Sequence, residues 1–171
     1  MNPITTKTQK NKADYQVLVQ RAVRKVNAPA SAQLKKWAIS ALLGRMPSAE
    51  LTIRLVGIKE MTHLNSTYRH KNGPTNILSF PFDEPHETDS TMPLLGDLVI
   101  CAEVVNQEAL DQNKLAAAHW AHMVIHGTLH LLGYDHENEA DALKMEAEEI
   151  GILDTLEIPN PYHINKKGES S

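Results

Sequence analysis

Along the chain the apolar positions change period several times, and each change marks an element. Leu51, Ile53 and Leu55 alternate with Thr52 and Arg54, the period-two pattern of a half-buried strand running over Leu51–Val56. A shorter strand is predicted at Tyr15–Val19. Between them Leu34, Trp37, Ala38, Ala41 and Leu42 recur at helical spacing, so a helix is expected with Ser31 as its cap and Gly44 as its stop. A second helix covers about Ile58 to Tyr68. Asn76–Phe80 and Gly96–Cys101 are β-branched or aromatic runs bounded by Pro and Gly, and both are predicted to be strands. The polar stretch FDEPHETDSTMP between them reads as an exposed loop. After Cys101 the pattern is helical to about Gln112 and again from Lys114 to Leu132, with Gly133 as the stop, and a last acidic helix spans Glu139–Ile150. Strands and helices in this order predict an α+β fold, a small mixed sheet of about four strands packed with helices.

A chain of 171 residues with 42% hydrophobic content has the material for one packed core. One domain is therefore expected over residues 14–160, flanked by a disordered tail at 1–13 and a loose tail at 161–171, neither carrying chemistry. No apolar run is long enough to cross a bilayer and the polar start has no signal core, so a soluble, cytoplasmic protein with no membrane partner is expected. The one cysteine, Cys101, has no partner for an internal disulfide and reads as a small apolar filler. Any metal must then rest on His, Asp or Glu. A net charge of −4 does not mark a nucleic-acid binder. The local clusters Arg21, Arg24, Lys25, Lys35, Lys36 and Arg54, Arg69, His70, Lys71 read as solvated surface unless one borders a reactive site.

The segment HGTLHLLGYDH, residues 126–136, changes that picture. On a helix, His126 and His130 leave the same face about 6 Å apart along the axis. Gly133 can take the left-handed conformation of a sharp turn, which returns the chain so that His136 comes back toward the other two. Three neutral imidazoles suit one zinc ion and leave a fourth position for water, the arrangement of a catalytic site. His122 lies about 12 Å along the axis from His130, too far to share an ion with it, and reads as a packed histidine or a partner of a ligand. His119 reads as a surface or core residue, and His63, His70, His86 and His163 show no ligand spacing.

Together with YRHKNGPTNILSFPF at 68–82 and LLGDLVIC at 94–101, this segment closely resembles the YbeY family of bacterial endoribonucleases, also called ribosomal RNA maturation factors. The resemblance is strong over about residues 50–137 and extends to the N-terminal quarter in layout only. It implies a zincin-like fold, one zinc on His126, His130 and His136, and a cytoplasmic location. It further implies a single-strand-specific, zinc-dependent endoribonuclease acting in 16S rRNA 3′ end maturation and ribosome quality control. Its partners would be single-stranded RNA, ribosomal RNA and the small ribosomal subunit. Arg69 matches the family's functional arginine, and a guanidinium that forks onto two phosphate oxygens suits such a role; read without the resemblance, Arg69 is a solvated or ion-paired surface residue.

The same segment also looks like the zinc-protease motif HExxHxxGxxH, except that Gly127 stands where those enzymes carry the glutamate that takes a proton from zinc-bound water. Peptide hydrolysis is disfavoured on that ground. A zinc peptidase with another base and a non-catalytic zinc-containing ribosome-assembly factor stay as alternatives. Asp135 reads as a turn residue or a partner of a ligand, with proton acceptance by Asp135 or by a substrate phosphate oxygen as the other possibility.

Overall fold

The computed structural model describes residues 14–82 and 92–163. Its elements are β1 (Asp14–Arg21), α1 (Ser31–Leu42), β2 (Ser48–Val56), α2 (Ile58–Arg69), β3 (Ile77–Pro81), β4 (Leu94–Cys101), α3 (Ala102–Asp111), α4 (Ala116–Leu131) and α5 (Glu139–Thr155). They form a mixed four-stranded sheet in the order β1-β2-β4-β3, with β1, β2 and β4 parallel and the edge strand β3 antiparallel to β4. This is the α+β single domain expected from the pattern of elements. Of the two predicted tails and the predicted loop, residues 1–13, 83–91 and 164–171 lie outside the described residues. Pro161–His163, at the start of the expected C-terminal tail, are among the described residues.

Strand alternation divides the apolar side chains between two faces of the sheet. Leu51, Ile53 and Leu55 of β2 and Leu98 and Ile100 of β4 point into the larger core, where they meet Leu34, Trp37 and Leu42 of α1, Trp120, Val124, Ile125 and Leu129 of α4, and Met145 and Leu153 of α5. Val56, Leu78, Val99 and Cys101 point the other way and are covered by Met61 and Leu64 of α2. Cys101 is fully buried there, a small apolar filler as expected. Burying each large aliphatic side chain contributes roughly 1.5–3 kcal/mol, and this core fixes α4 and α5 on one face of the sheet.

Two helix ends depart from expectation. Ser31 is the first residue of α1 and does not cap it: Ala30 holds the cap position, and the Ser31 Oγ accepts instead from the Arg21 guanidinium. At the other end of the chain, α5 runs through Gly151 to Thr155 instead of ending at Ile150. A helical glycine costs about 1 kcal/mol against alanine, but continuing buries Ile152 and Leu153, which outweighs it. Among the described residues no helix is long and apolar enough to cross a membrane.

Candidate metal centre

Helix α4 carries His126 and His130 at its C-terminal end, on the edge of the core. The helix closes with the Leu132 amide on the Thr128 carbonyl, the Gly133 amide on His130 and the Tyr134 amide on Leu129. Gly133 then turns the chain at φ +98°, a left-handed conformation that L side chains rarely adopt. Asp135 Oδ1 accepts the Glu137 amide at 3.1 Å, an Asx turn, and Asn138 caps α5 by accepting the Asp141 amide at 2.8 Å. His136 is held between these two local motifs. Of the roles open to Asp135 in the sequence, the structure shows the turn.

The three imidazoles converge. Ring centroids are 4.6 Å apart for His126 and His130, 5.0 Å for His130 and His136, and 5.8 Å for His126 and His136. One nitrogen from each lies within 4.8 Å of the others, so the group could hold a metal ion. His126 and His130 are half-buried while His136 is exposed, which opens the site to solvent on one side.

The protonation pattern shows what this group can do. His126 Nδ1 lies 2.5 Å from Glu149 Oε1. A carboxylate only accepts, so Nδ1 bears the proton and Nε2 is a bare lone pair. That Nε2 lies 3.1 Å from His130 Nε2. Burial lowers the His130 pKa first, and the neighbouring His126 and His136 lower it further, to about 4 against an ordinary 6.5. Near neutral pH the ring is therefore uncharged and its hydrogen bond to the Tyr134 backbone occupies its other nitrogen. With both rings neutral and protonated on their other nitrogens, the two Nε2 lone pairs face each other across 3.1 Å, where a cation between them and the third ring would be held. This donor set fits a metal ion.

Behind His126 is a layer that sequence reasoning reached only in part. Glu149 on α5 is fully buried. Its Oε2 accepts His122 Nε2 at 2.7 Å and also the Tyr162 hydroxyl. Burial pushes the Glu149 pKa up, but the hydrogen bonds from His122 and His126 outweigh that and hold it down at about 2. Burial and the adjacent Glu149 push the Tyr162 hydroxyl well above its usual range. His122 is thus buried as a partner of Glu149, within the reading made of it. Glu149 was not singled out, because its approach depends on how α5 lies on α4. Tyr162 comes from the segment expected to be a loose tail without chemistry. His122, His126 and Glu149 also form a metal-sized group, but their 2.5 and 2.7 Å contacts are hydrogen bonds. Ligands about 2.0–2.1 Å from one tetrahedral zinc sit about 3.3 Å apart, so this group reads as a proton-bridged support.

His119 is buried and turns Nε2 toward Glu108 Oε1 at 3.1 Å, resolving its two readings in favour of the core. Asn76 donates to the same carboxylate at 3.1 Å and tethers the start of β3 to α3.

Arg69 is elsewhere. It ends α2, on the sheet face opposite α4, and is exposed with no hydrogen bond or ion pair among the described residues. The buried Asn65 donates to the Gly73 carbonyl at 2.9 Å and fixes the loop that follows it. Beside it Tyr68 packs edge-on against Phe80 of β3, with centroids 5.2 Å apart. On the other side of β3, Ser79 Oγ donates to the Gly127 carbonyl of α4 at 3.3 Å. The edge strand therefore touches α2 through Phe80 and α4 through Ser79. The cluster Arg54, Arg69, His70, Lys71 is also not one patch: Arg54 pairs with Glu60 at 2.8 Å.

Comparison with known proteins decides the family. The sequence profile described as endoribonuclease YbeY matches residues 4–157. The chain belongs to the YbeY endoribonuclease family. A curated relative, endoribonuclease YbeY of Nitrosococcus oceani, is 51% identical over 146 residues, covering 85% of this chain and 95% of that protein. The solution structure of a Thermotoga maritima protein superposes with a TM-score of 0.54 at 21% identity, covering 91% of this chain and 99% of the other. That likeness concerns the fold alone. Membership in the YbeY family makes the chain an endoribonuclease and hence a hydrolase. Arg69, the three histidines and Glu149 all lie within the span matched by the YbeY profile, whereas Tyr162 lies beyond it.

Proposed function

We propose that this endoribonuclease is zinc-dependent and single-strand-specific, with His126, His130 and His136 as the ligands of one zinc ion and Arg69 as the group that contacts the scissile phosphate. The observation that carries the reading is the convergence of three imidazoles, with the Nε2 atoms of His126 and His130 3.1 Å apart beside an exposed His136. Bound there, zinc supplies a polarised water or a Lewis acid for a phosphoryl oxygen. The chain's own residues do the rest. His126 and His130 offer ring nitrogens, while the exposed His136 leaves a side open to substrate. A cavity of about 300 Å³ beside them is lined by His126, His136, Glu146, Glu149 and Tyr162. Arg69, free of ion pairs among the described residues, can fork onto a phosphate. Gly127 lacks a carboxylate, so the proton acceptor is Asp135, whose Oδ1 accepts the Glu137 amide, or a substrate phosphate oxygen.

The family suggests 16S rRNA 3′ end maturation and ribosome quality control in the cytoplasm, on ribosomal RNA and the small ribosomal subunit, as the setting for this activity. The peptidase alternative loses ground for a further reason. A Cβ at Gly127 would fall 2.5 Å from Ile77 Cδ1 and 2.9 Å from Leu98 Cδ2, so the glutamate's place is filled by core side chains.

The test is elemental analysis together with cleavage of a short single-stranded RNA and of a casein-type peptide. About one zinc per chain is expected in the wild type, and alanine at His126, His130 or His136 should lower it and abolish RNA cleavage. Peptide cleavage without RNA cleavage would turn the reading to a peptidase. Undiminished RNA cleavage after zinc removal, with loss of fold alone, would leave the ion a structural one.

A further inference from the structure

Resting on the reading of the three histidines as a metal site, we propose that Glu149 is a positioning residue that selects which nitrogen of His126 is free for the metal, and that the C-terminal segment completes its hold through Tyr162. The geometry is built for that task. Glu149 Oε1 faces His126 Nδ1 at 2.5 Å and forces the proton onto that nitrogen. In the alternative tautomer two lone pairs would face each other at that distance and Nε2 would carry a hydrogen into the metal site. Orienting a ligating imidazole through its second nitrogen is a general means of tuning metal affinity.

Glu149 cannot turn away from His126, because its other oxygen is occupied twice. His122 Nε2 donates to it at 2.7 Å and the Tyr162 hydroxyl donates as well. These groups come from three parts of the chain. His122 and His126 share α4, Glu149 sits one helix away on α5, and Tyr162 arrives after α5 has ended. The Tyr162 ring also packs edge-on against His122, with centroids 5.4 Å apart. A fully buried carboxylate is costly without a compensating charge. Among the described residues neither Lys nor Arg pairs with Glu149; its contacts are the two histidines and the tyrosine. A cation on the far side of the His126 ring supplies that charge, with the imidazole as the link. Metal binding and the docking of the C-terminal segment are therefore coupled through one side chain.

Zinc affinity of the full-length chain, measured by competition with a chromogenic chelator, tests this together with long-range ¹H–¹⁵N NMR of the metal-free histidine rings. The wild type should show His126 protonated on Nδ1. Glu149→Gln should weaken zinc binding roughly 10- to 100-fold and shift His126 toward the other tautomer. Should that variant fail to fold, Tyr162→Phe carries the test, since it keeps the ring against His122 and removes only the donor. About fivefold weaker zinc binding is expected of it, the worth of one hydrogen bond. Wild-type affinity in a folded Glu149→Gln protein, or in Tyr162→Phe, overturns the corresponding half of the proposal. If alanine at His126 leaves zinc bound, the metal site itself has been misassigned; if it releases zinc while Glu149→Gln does not, only the positioning role falls.

Discussion

Arg69 shows how far a single residue can be read in isolation. A free guanidinium at a helix end is by itself an ordinary surface feature, and the structure leaves it exposed and without an ion pair among the described residues. That freedom suits a phosphate contact, which a residue already committed to a carboxylate could not make without losing its partner. Arg69→Ala is expected to keep fold and zinc content, because it removes no ligand and no core group, while RNA cleavage falls. Arg69→Lys should recover only part of the loss, since a point charge replaces a planar fork. If the contact strengthens as charge develops, much of the defect lies in turnover. Turnover by Arg69→Ala equal to wild type on a short single-stranded RNA at fixed salt would return the residue to the solvated surface. The three histidines were legible because their relation is local: a helical repeat of four and a glycine turn hold regardless of what surrounds them. Glu149 was not legible for the opposite reason. A glutamate in an acidic helix looks like its neighbours until the packing of α5 on α4 buries it between two imidazoles.

Between elements, Gly127 is where α4 comes against the sheet. Ile77 of β3 and Leu98 of β4 fill the space where its side chain would lie, and Ser79 reaches its carbonyl. At the glycine that stands where zinc proteases carry a glutamate, a Cβ would meet the ends of the Ile77 and Leu98 side chains. Gly127→Glu is therefore expected to cost about 2–3 kcal/mol through overpacking and a carboxylate placed among apolar groups, read as a lower urea midpoint, and to create no peptidase activity. An unchanged midpoint would show that the helix can move off the sheet at little cost. The helix ends carry the same lesson. Residue type alone points to Ser31 as a cap, but Arg21, the eighth residue of a strand lying beside α1, occupies its hydroxyl. The acidic pattern fades at Ile150, yet burial of Ile152 and Leu153 carries α5 onward.

For the whole molecule, the buried titratable groups predict how stability follows pH. His130 takes up a proton near 6.5 when unfolded and only at about 4 when folded, so the unfolded chain binds more protons across that interval and stability falls as pH falls through it. Glu149 has the same sign lower down, its carboxyl being held at about 2 against an ordinary 4.5. The urea midpoint of the metal-free protein should therefore drop between pH 6.5 and about 4 and continue to drop below, with His130→Ala flattening the upper part. A midpoint constant from 6.5 to 4 would contradict this. Zinc should be released as acid protonates the histidine nitrogens, because protons and metal compete for the same lone pairs. The element order, the four strands and the three-histidine constellation were all present in the sequence, since each follows from periodicity or from spacing within one helix and its turn. Only the tertiary structure decided that the sheet buries apolar side chains on both faces, that Gly127 lies against Ile77 and Leu98, and that Glu149 and Tyr162 stand behind His126. Those relations join residues far apart in the chain, and their distances are set by how helices and sheet pack together, which no local pattern of residues encodes.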